Sequence, residues 1–187
     1  TALFVTATPT ASPTPAPPTA APSATPTATA TQGANGAACT RTVSPGGLTA
    51  AISAAQAGNV ICLRDGVYAE AFVPRTNGTA GAPITVRALN DGKVTIDGQG
   101  VRKTVDLQRD YWVVEGIVAR NGLDNVFRVD GNNNILRRVS AYDASDDINS
   151  SVIMLLGDNN LVEDAIVAGT GRYMAEIFEG SGNTLRR

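Results

Sequence analysis

Three short stretches, GNNN from Gly131, GDNN from Gly157 and GSGN from Gly180, each set a glycine three residues before an asparagine. A punctuation mark that returns after 26 and then 23 residues limits the possible folds more than any other feature of this chain. With Asn134, Asn160 and Asn183 placed in one column, Trp112 falls in the same column one repeat earlier. The next columns read Val113, Ile135, Leu161, Thr184 and then Val114, Leu136, Val162, Leu185, with Ile117, Val139 and Ala165 further on. Upstream, Val129, Leu155 and Phe178 stand two positions before their glycines. Each repeat therefore reads as two short apolar strands, a fixed turn and one variable loop.

A period of 22 to 26 residues is too short for a propeller blade, and it lacks the leucine-rich consensus and the helical pattern of armadillo-like arrays. It predicts an all-β solenoid, a right-handed parallel β-helix whose coils stack in register about 4.8 Å apart. The repeated mark is then one corner of the coil. Glycine there permits positive φ, and asparagine tolerates the left-handed region while its amide bonds to the identical amide above and below. The charges test this register. Glu115, Arg137, Glu163 and Arg186 alternate in sign down one column, and Arg138, Asp164 and Arg187 do so down the next. Stacked parallel strands make the members of a column direct neighbours, so opposite signs attract. Read as exposed pairs, each contributes well under about 1 kcal/mol.

Before the repeats, GGLTAAISAAQAG carries Leu48, Ala51, Ile52 and Ala55 at the spacing of one helix face, with Gly58 as a stop. This predicts an N-terminal capping helix. NVICL, AFVP, PITVRAL, KVTIDG and YWVVEGIVA follow as strand signals, rich in Val and Ile and broken by Gly, Asn and Asp. Cys39 precedes the helix and Cys62 lies in the strand after it. They either form a disulfide, worth roughly 3 kcal/mol for a loop of this length, or remain two buried thiols. Residues 1–37 are almost wholly Thr, Pro, Ala and Ser where they are most biased, which predicts a disordered linker or stalk outside the cell, open to O-glycosylation. The β-helix body is expected over 38–187. The final NTLRR enters a new strand with no cap behind it, so the body reads as the N-terminal part of a longer solenoid.

Composition removes several chemistries. With no histidine, a Ser-His-Asp triad, a Cys-His pair and His-ligated zinc are all excluded, and two cysteines cannot make a four-thiolate site. A formal charge of −2 offers no footprint for nucleic acid, and no apolar run reaches the roughly 20 residues of a membrane span. What remains is chemistry by carboxylates, Lys, Arg, Tyr or a hard cation.

The run GLTAAISAAQAGNVICLRDGVYAEAFVPRTNGTAGAPITVRALNDGKVTIDG resembles the opening of secreted parallel β-helix proteins of the pectate-lyase-like superfamily. It is most similar to the branch holding family 9 pectate lyases and the alginate lyase/chondroitinase B group. The matching features are AAxxGxxIxLxxGxY from Ala54 to Tyr68, then NGTAGAPITVRA, then VTIDG. The resemblance implies a polysaccharide lyase, in which calcium and basic residues neutralise a uronate carboxylate, Lys or Arg takes the C5 proton, and β-elimination breaks the chain. The chain departs from that pattern in holding only Lys93 and Lys103 as lysines, both in early coils, so no catalytic residue is carried over.

The variable loops RNGLDN, YDASDDINSS and GTGRYM place Asp124, Asp143, Asp146, Asp147, Arg172 and Tyr173 along one strip. Such a strip suits a glycan, with Asp143, Asp146 and Asp147 as candidate calcium ligands. Asp and Asn are also the ordinary residues of turns. The pair Asp146–Asp147 is a poor glycosidase dyad, since neighbours on a strand point to opposite faces. Asn77 and Asn149 open N-glycosylation sequons short enough to arise by chance. The expectation is an exported, monomeric, polysaccharide-lyase-like protein, with a non-catalytic surface module that binds glycan or acts as a spacer as the alternative.

Overall fold

The computed structural model describes residues 37–146 and 149–187, so most of the expected 1–37 linker and the candidate Asp147 lie outside the described residues. The chain runs β1 (Arg41–Val43), α1 (Leu48–Ser53), β2 (Val60–Leu63), β3 (Gly66–Tyr68), β4 (Ile84–Ala88), β5 (Val94–Asp97), β6 (Val105–Leu107) and β7 (Trp112–Glu115). It continues through β8 (Ile117–Arg120), β9 (Phe127–Val129), β10 (Ile135–Arg137), β11 (Ser140–Tyr142) and β12 (Ser151–Leu155). The last elements are β13 (Leu161–Glu163), β14 (Ile166–Ala168), β15 (Tyr173–Ile177) and β16 (Thr184–Arg186). They form three parallel sheets: A with order β1-β2-β4-β7-β10-β13-β16, B with β14-β11-β8-β5-β3, and C with β15-β12-β9-β6. This is a parallel β-helix.

A full coil holds three strands rather than the two expected from the repeat. The run YWVVEGIVA is cut by Gly116, whose φ of 69° turns the chain sharply from sheet A to sheet B. Arg138, Asp164 and Arg187 occupy the same left-handed corner in later coils. AFVP makes only an isolated parallel bridge, Phe72 to Val105, and Pro74, two residues on, has no N–H with which to extend the ladder. The expected register holds in sheet A, where Ile135 pairs with Val113 and Leu161, and Arg137 with Glu115 and Glu163. It slips once in sheet C, where Leu155 pairs with Ile177 instead of Phe178. The last coil carries one more residue between that strand and its glycine, and the extra residue is absorbed there.

The glycine–asparagine corner works differently from the sequence expectation. The left-handed residues are Tyr111, Asn133, Asn159 and Gly182, one place before the asparagine column. Of the three repeated glycines only Gly180 has positive φ. All three are needed because the coils approach closely. A Cβ on Gly131 would run into the carbonyl of Arg109, one on Gly157 into that of Gly131, and one on Gly180 into that of Gly157. Nor do the asparagine amides bond to one another. Each Oδ1 accepts the backbone N–H of the column residue one coil earlier: Trp112 to Asn134 at 2.8 Å, Asn134 to Asn160 at 2.9 Å, and Asn160 to Asn183 at 2.8 Å. A second ladder runs beside it, from Asn132 N–H to Asp110, Asp158 N–H to Asn132 and Ser181 N–H to Asp158.

At the sheet A to sheet B corner the alternating charges are buried, not exposed. Arg137 reaches Glu115 at 3.3 Å and Glu163 at 2.5 Å, with side-chain exposures of 9%, 5% and 5%. Arg186 closes the column on Glu163. Burial pushes the Glu163 carboxyl up, but hydrogen bonds from Arg186 and Arg137 outweigh it and hold the group below its ordinary value. The outer column pairs at the surface, Arg138 with Asp91 and Arg187 with Asp164.

The core fills the solenoid with stacked Val, Ile, Leu and Phe, each fully buried side chain contributing roughly 1.5–3 kcal/mol. Helix α1 closes one end, burying Leu48, Ala51 and Ile52 as its apolar face requires, with Ala55 buried just after it. The Glu70 carboxylate accepts the N–H groups of Gly46 and Thr49, satisfying donors that a helix start leaves open. Cys39 and Cys62 form the disulfide, with Cα atoms 5.7 Å apart. Arg87, next to Cys62 in register, donates to the Ala37 carbonyl and to Cys62 Sγ.

Candidate functional site

Sheet C alternates cleanly. Val105, Phe127 and Ile153 pair with one another and point inward, as do Leu107, Val129 and Leu155, while Ala175, next to Ile153 in register, is exposed in the last coil. The residues between them, Asp106, Arg128, Met154 and Glu176, form one column on the outer face. At its start, buried Asp106 takes the Lys103 amine at 2.9 Å and the Gln108 amide at 3.1 Å. The hydrogen bond to Asp106 holds the Lys103 amine above its ordinary value against the opposing effect of burial. A lysine kept protonated in this way is a poor proton acceptor.

Further along the same face lies a groove of about 350 Å³, within the size range of small-molecule and cofactor sites. Arg128 enters from the β9 coil, its Nε held by the Asp130 carboxylate at 3.0 Å. The β12 coil supplies Asn149, Met154 and Leu156. The following coil supplies Arg172, Tyr173, Glu176 and Phe178. The Arg172 guanidinium lies 5.1 Å from the centre of the Tyr173 ring and donates to Asn149 Oδ1 at 3.1 Å. Glu176 accepts the Ser151 hydroxyl at 2.6 Å. Two cations, two half-exposed aromatic rings and an apolar floor suit a sugar that presents both a C–H face and an acidic group.

The five described candidates read from the loops do not form one strip. Arg172 and Tyr173 line the groove. Asp143 and Asp146 line a separate polar hollow of about 540 Å³ with Gln99, Asn121, Ser145 and Thr170. Asp143 is in the left-handed region and accepts the Thr170 N–H, which is the work of a turn residue. Asp124 accepts the Asn125 N–H and lies in the electrostatic field of Lys103 and Arg128. Asp147 lies outside the described residues. Arg128, Met154, Glu176 and Phe178 are groove residues that the loop reading passed over. For Arg128 and Glu176 the signal was a strand one, a charged residue between two apolar ones, as in FRV and AEI.

The profile of the chondroitinase B family matches residues 43–172. The chain belongs to that family. Among solved structures, pectate lyase Pel9A is 19% identical with a TM-score of 0.63, over 79% of this chain and 47% of that one. A PL6 family polysaccharide lyase from Pseudopedobacter saltans is 18% identical with a TM-score of 0.58, over 78% of this chain and 36% of that one. The alginate lyase from Paenibacillus sp. str. FPU-7 is 18% identical with a TM-score of 0.51, over 79% and 65%. This chondroitinase B family chain thus has the β-helix of polysaccharide lyases and spans from about a third to two-thirds of the length of those structures. No curated protein matches it. Among the described residues no helix is long and apolar enough to cross a membrane.

Proposed function

We infer that this chain is part of an exported protein that docks an acidic, uronate-containing polysaccharide on the outer face of sheet C and acts on it in the manner of a β-eliminating lyase. The observation that carries this reading is the groove, where Arg128 and Arg172 flank a floor of Met154, Leu156, Tyr173 and Phe178. Membership in the chondroitinase B family supports the reaction class. In β-elimination a cation beside the uronate carboxylate acidifies the C5 proton. A base then removes that proton, the electron pair forms the C4–C5 double bond, and the glycosidic oxygen leaves. Arg128 and Arg172 supply the neutralising charge. The base is assigned to none of the described residues, since Lys103 is held protonated by Asp106 and Lys93 is exposed outside the groove lining.

That same observation favours a second reading, a non-catalytic module that binds glycan with these arginines. Calcium, implied by the family resemblance, is given no step, because among the described residues no three carboxylate or thiolate groups gather to hold a metal. Incubation with pectate, alginate and dermatan-type chains, with calcium and with chelator, separates the readings. An unsaturated uronate product, followed by its ultraviolet absorbance, supports the lyase. Binding without product supports the module, and neither binding nor product rejects both.

A further inference from the structure

We propose that Glu176 sets the specificity of the groove: it accepts free sugar hydroxyls and turns away sulfate esters, so the ligand is an unsulfated uronate chain. The inference rests on the acidic-glycan reading above and adds the class of chain. The Arg128 guanidinium by itself would favour the more highly charged, sulfated polymer. The outcome therefore depends on what stands opposite that cation in the groove.

The carboxylates near the outer column of sheet C are partnered in different ways. Asp106 holds the Lys103 amine, and Asp130 holds Arg128 through Nε. Glu176 lines the groove, in the same outer column as Arg128 and Met154. Among the described residues it meets no cation, and the one hydrogen bond it accepts comes from the Ser151 hydroxyl at 2.6 Å. That hydroxyl is itself fixed. Ser151 is buried, and its N–H donates to Oδ1 of the buried Asn125 at 2.7 Å. Asn125, Ser151 and Glu176 thus form a chain of contacts across three coils that aims the carboxylate before any ligand arrives. An ionised carboxylate accepts roughly four hydrogen bonds and donates none, so most of its capacity faces the groove unused.

A sugar hydroxyl placed there donates a charge-assisted hydrogen bond. A sulfate ester in the same position has no proton to give and sets its own negative charge against the carboxylate, the kind of contact by which binding sites suppress wrong partners. The uronate carboxylate has a separate place. Among the described residues the terminal nitrogens of Arg128 make no hydrogen bond, while Asp130 holds its Nε.

The test is calorimetric titration with pectate, alginate and desulfated dermatan-type oligosaccharides, each beside its O-sulfated counterpart at one salt concentration. The chain should bind the unsulfated member of a pair at least about tenfold more tightly. Glu176→Gln keeps the shape of the side chain and an acceptor for Ser151 but removes the charge. It should bring the two members within about twofold, chiefly by gaining affinity for the sulfated one. Glu179→Gln removes the same charge from an exposed residue outside the groove lining and should leave the preference as it was. Melting curves show that the variants are folded. Three results overturn the role of Glu176 while the acidic-glycan groove stands: sulfated chains bound as tightly or more tightly, a preference that survives Glu176→Gln, or one lost equally in Glu179→Gln. Binding of none of these oligosaccharides overturns both.

Discussion

The tight corners on either side of sheet A and the open edge between sheets B and C are made by the same chain at the same period, yet they obey different rules. At the corners every coil repeats the last, with the asparagine ladder at one and the buried Glu115–Arg137–Glu163 column at the other. Backbones there approach so closely that even a Cβ on Gly131 or Gly157 has no room. At the open edge the connections differ in length and composition from coil to coil, and their side chains line the polar hollow and, through Asn149 and Arg172, one end of the groove on sheet C. The corners hold the coils in register, and the edge is then free to vary and carry recognition. Substitutions should therefore cost stability at the corners and binding at the edge.

The largest effect is expected at the charge column. Glu163→Leu leaves the buried Arg137 without its nearer partner and should destabilise by about 3–5 kcal/mol, measured by denaturant unfolding. A loss under about 1 kcal/mol would mean that the column contributes no more than surface pairs do. The same carboxyl predicts a pH dependence. Its folded value lies below its ordinary 4.5, as that of Asp97 lies below 3.8, where burial raises it but bonds from Asn121, Gln99 and Arg120 prevail. Charged forms thus favour the fold. Their contribution is complete above about pH 4.5 and is lost as pH falls through the lower folded values. Unfolding midpoints that fall instead toward neutral pH would contradict the sign.

Gly157→Ala comes next, at about 1–3 kcal/mol, because its methyl group must displace the carbonyls of Asp130 and Gly131. Asn160→Ala should cost about 1–3 kcal/mol by leaving the Asn134 N–H buried and unbonded, and hydrogen exchange at that amide should accelerate with it. Arg172→Ala, at the open edge, marks the other pole of the comparison. Its unfolding free energy should shift by no more than about 0.5 kcal/mol while glycan affinity falls. An edge substitution as damaging to stability as a corner one would erase the distinction.

The two regions were also unequally legible. Trp112, Asn134, Asn160 and Asn183 could be aligned by eye because the corner and the sheet A strand after it repeat residue for residue in each coil, and the charge column came with them. The slip at Ile177 was hidden because one additional residue in a single coil breaks no visible pattern. Asp143, Asp146, Arg172 and Tyr173 were recognised as edge residues, but sequence order does not say on which side of a loop a side chain emerges. The structure sends the last two to sheet C and the first two to another hollow.

The sequence by itself determined the period, the parallel stacking, the register of sheet A and the helix that closes one end, since each depends on spacing along the chain and on which residues are apolar. Only the tertiary structure decided that the glycines are there for close approach, that the charge column is buried, and that Arg128 and Arg172 line one groove. Those facts depend on distances between coils and on the direction of each bend, which are properties of the folded solenoid and not of any one repeat.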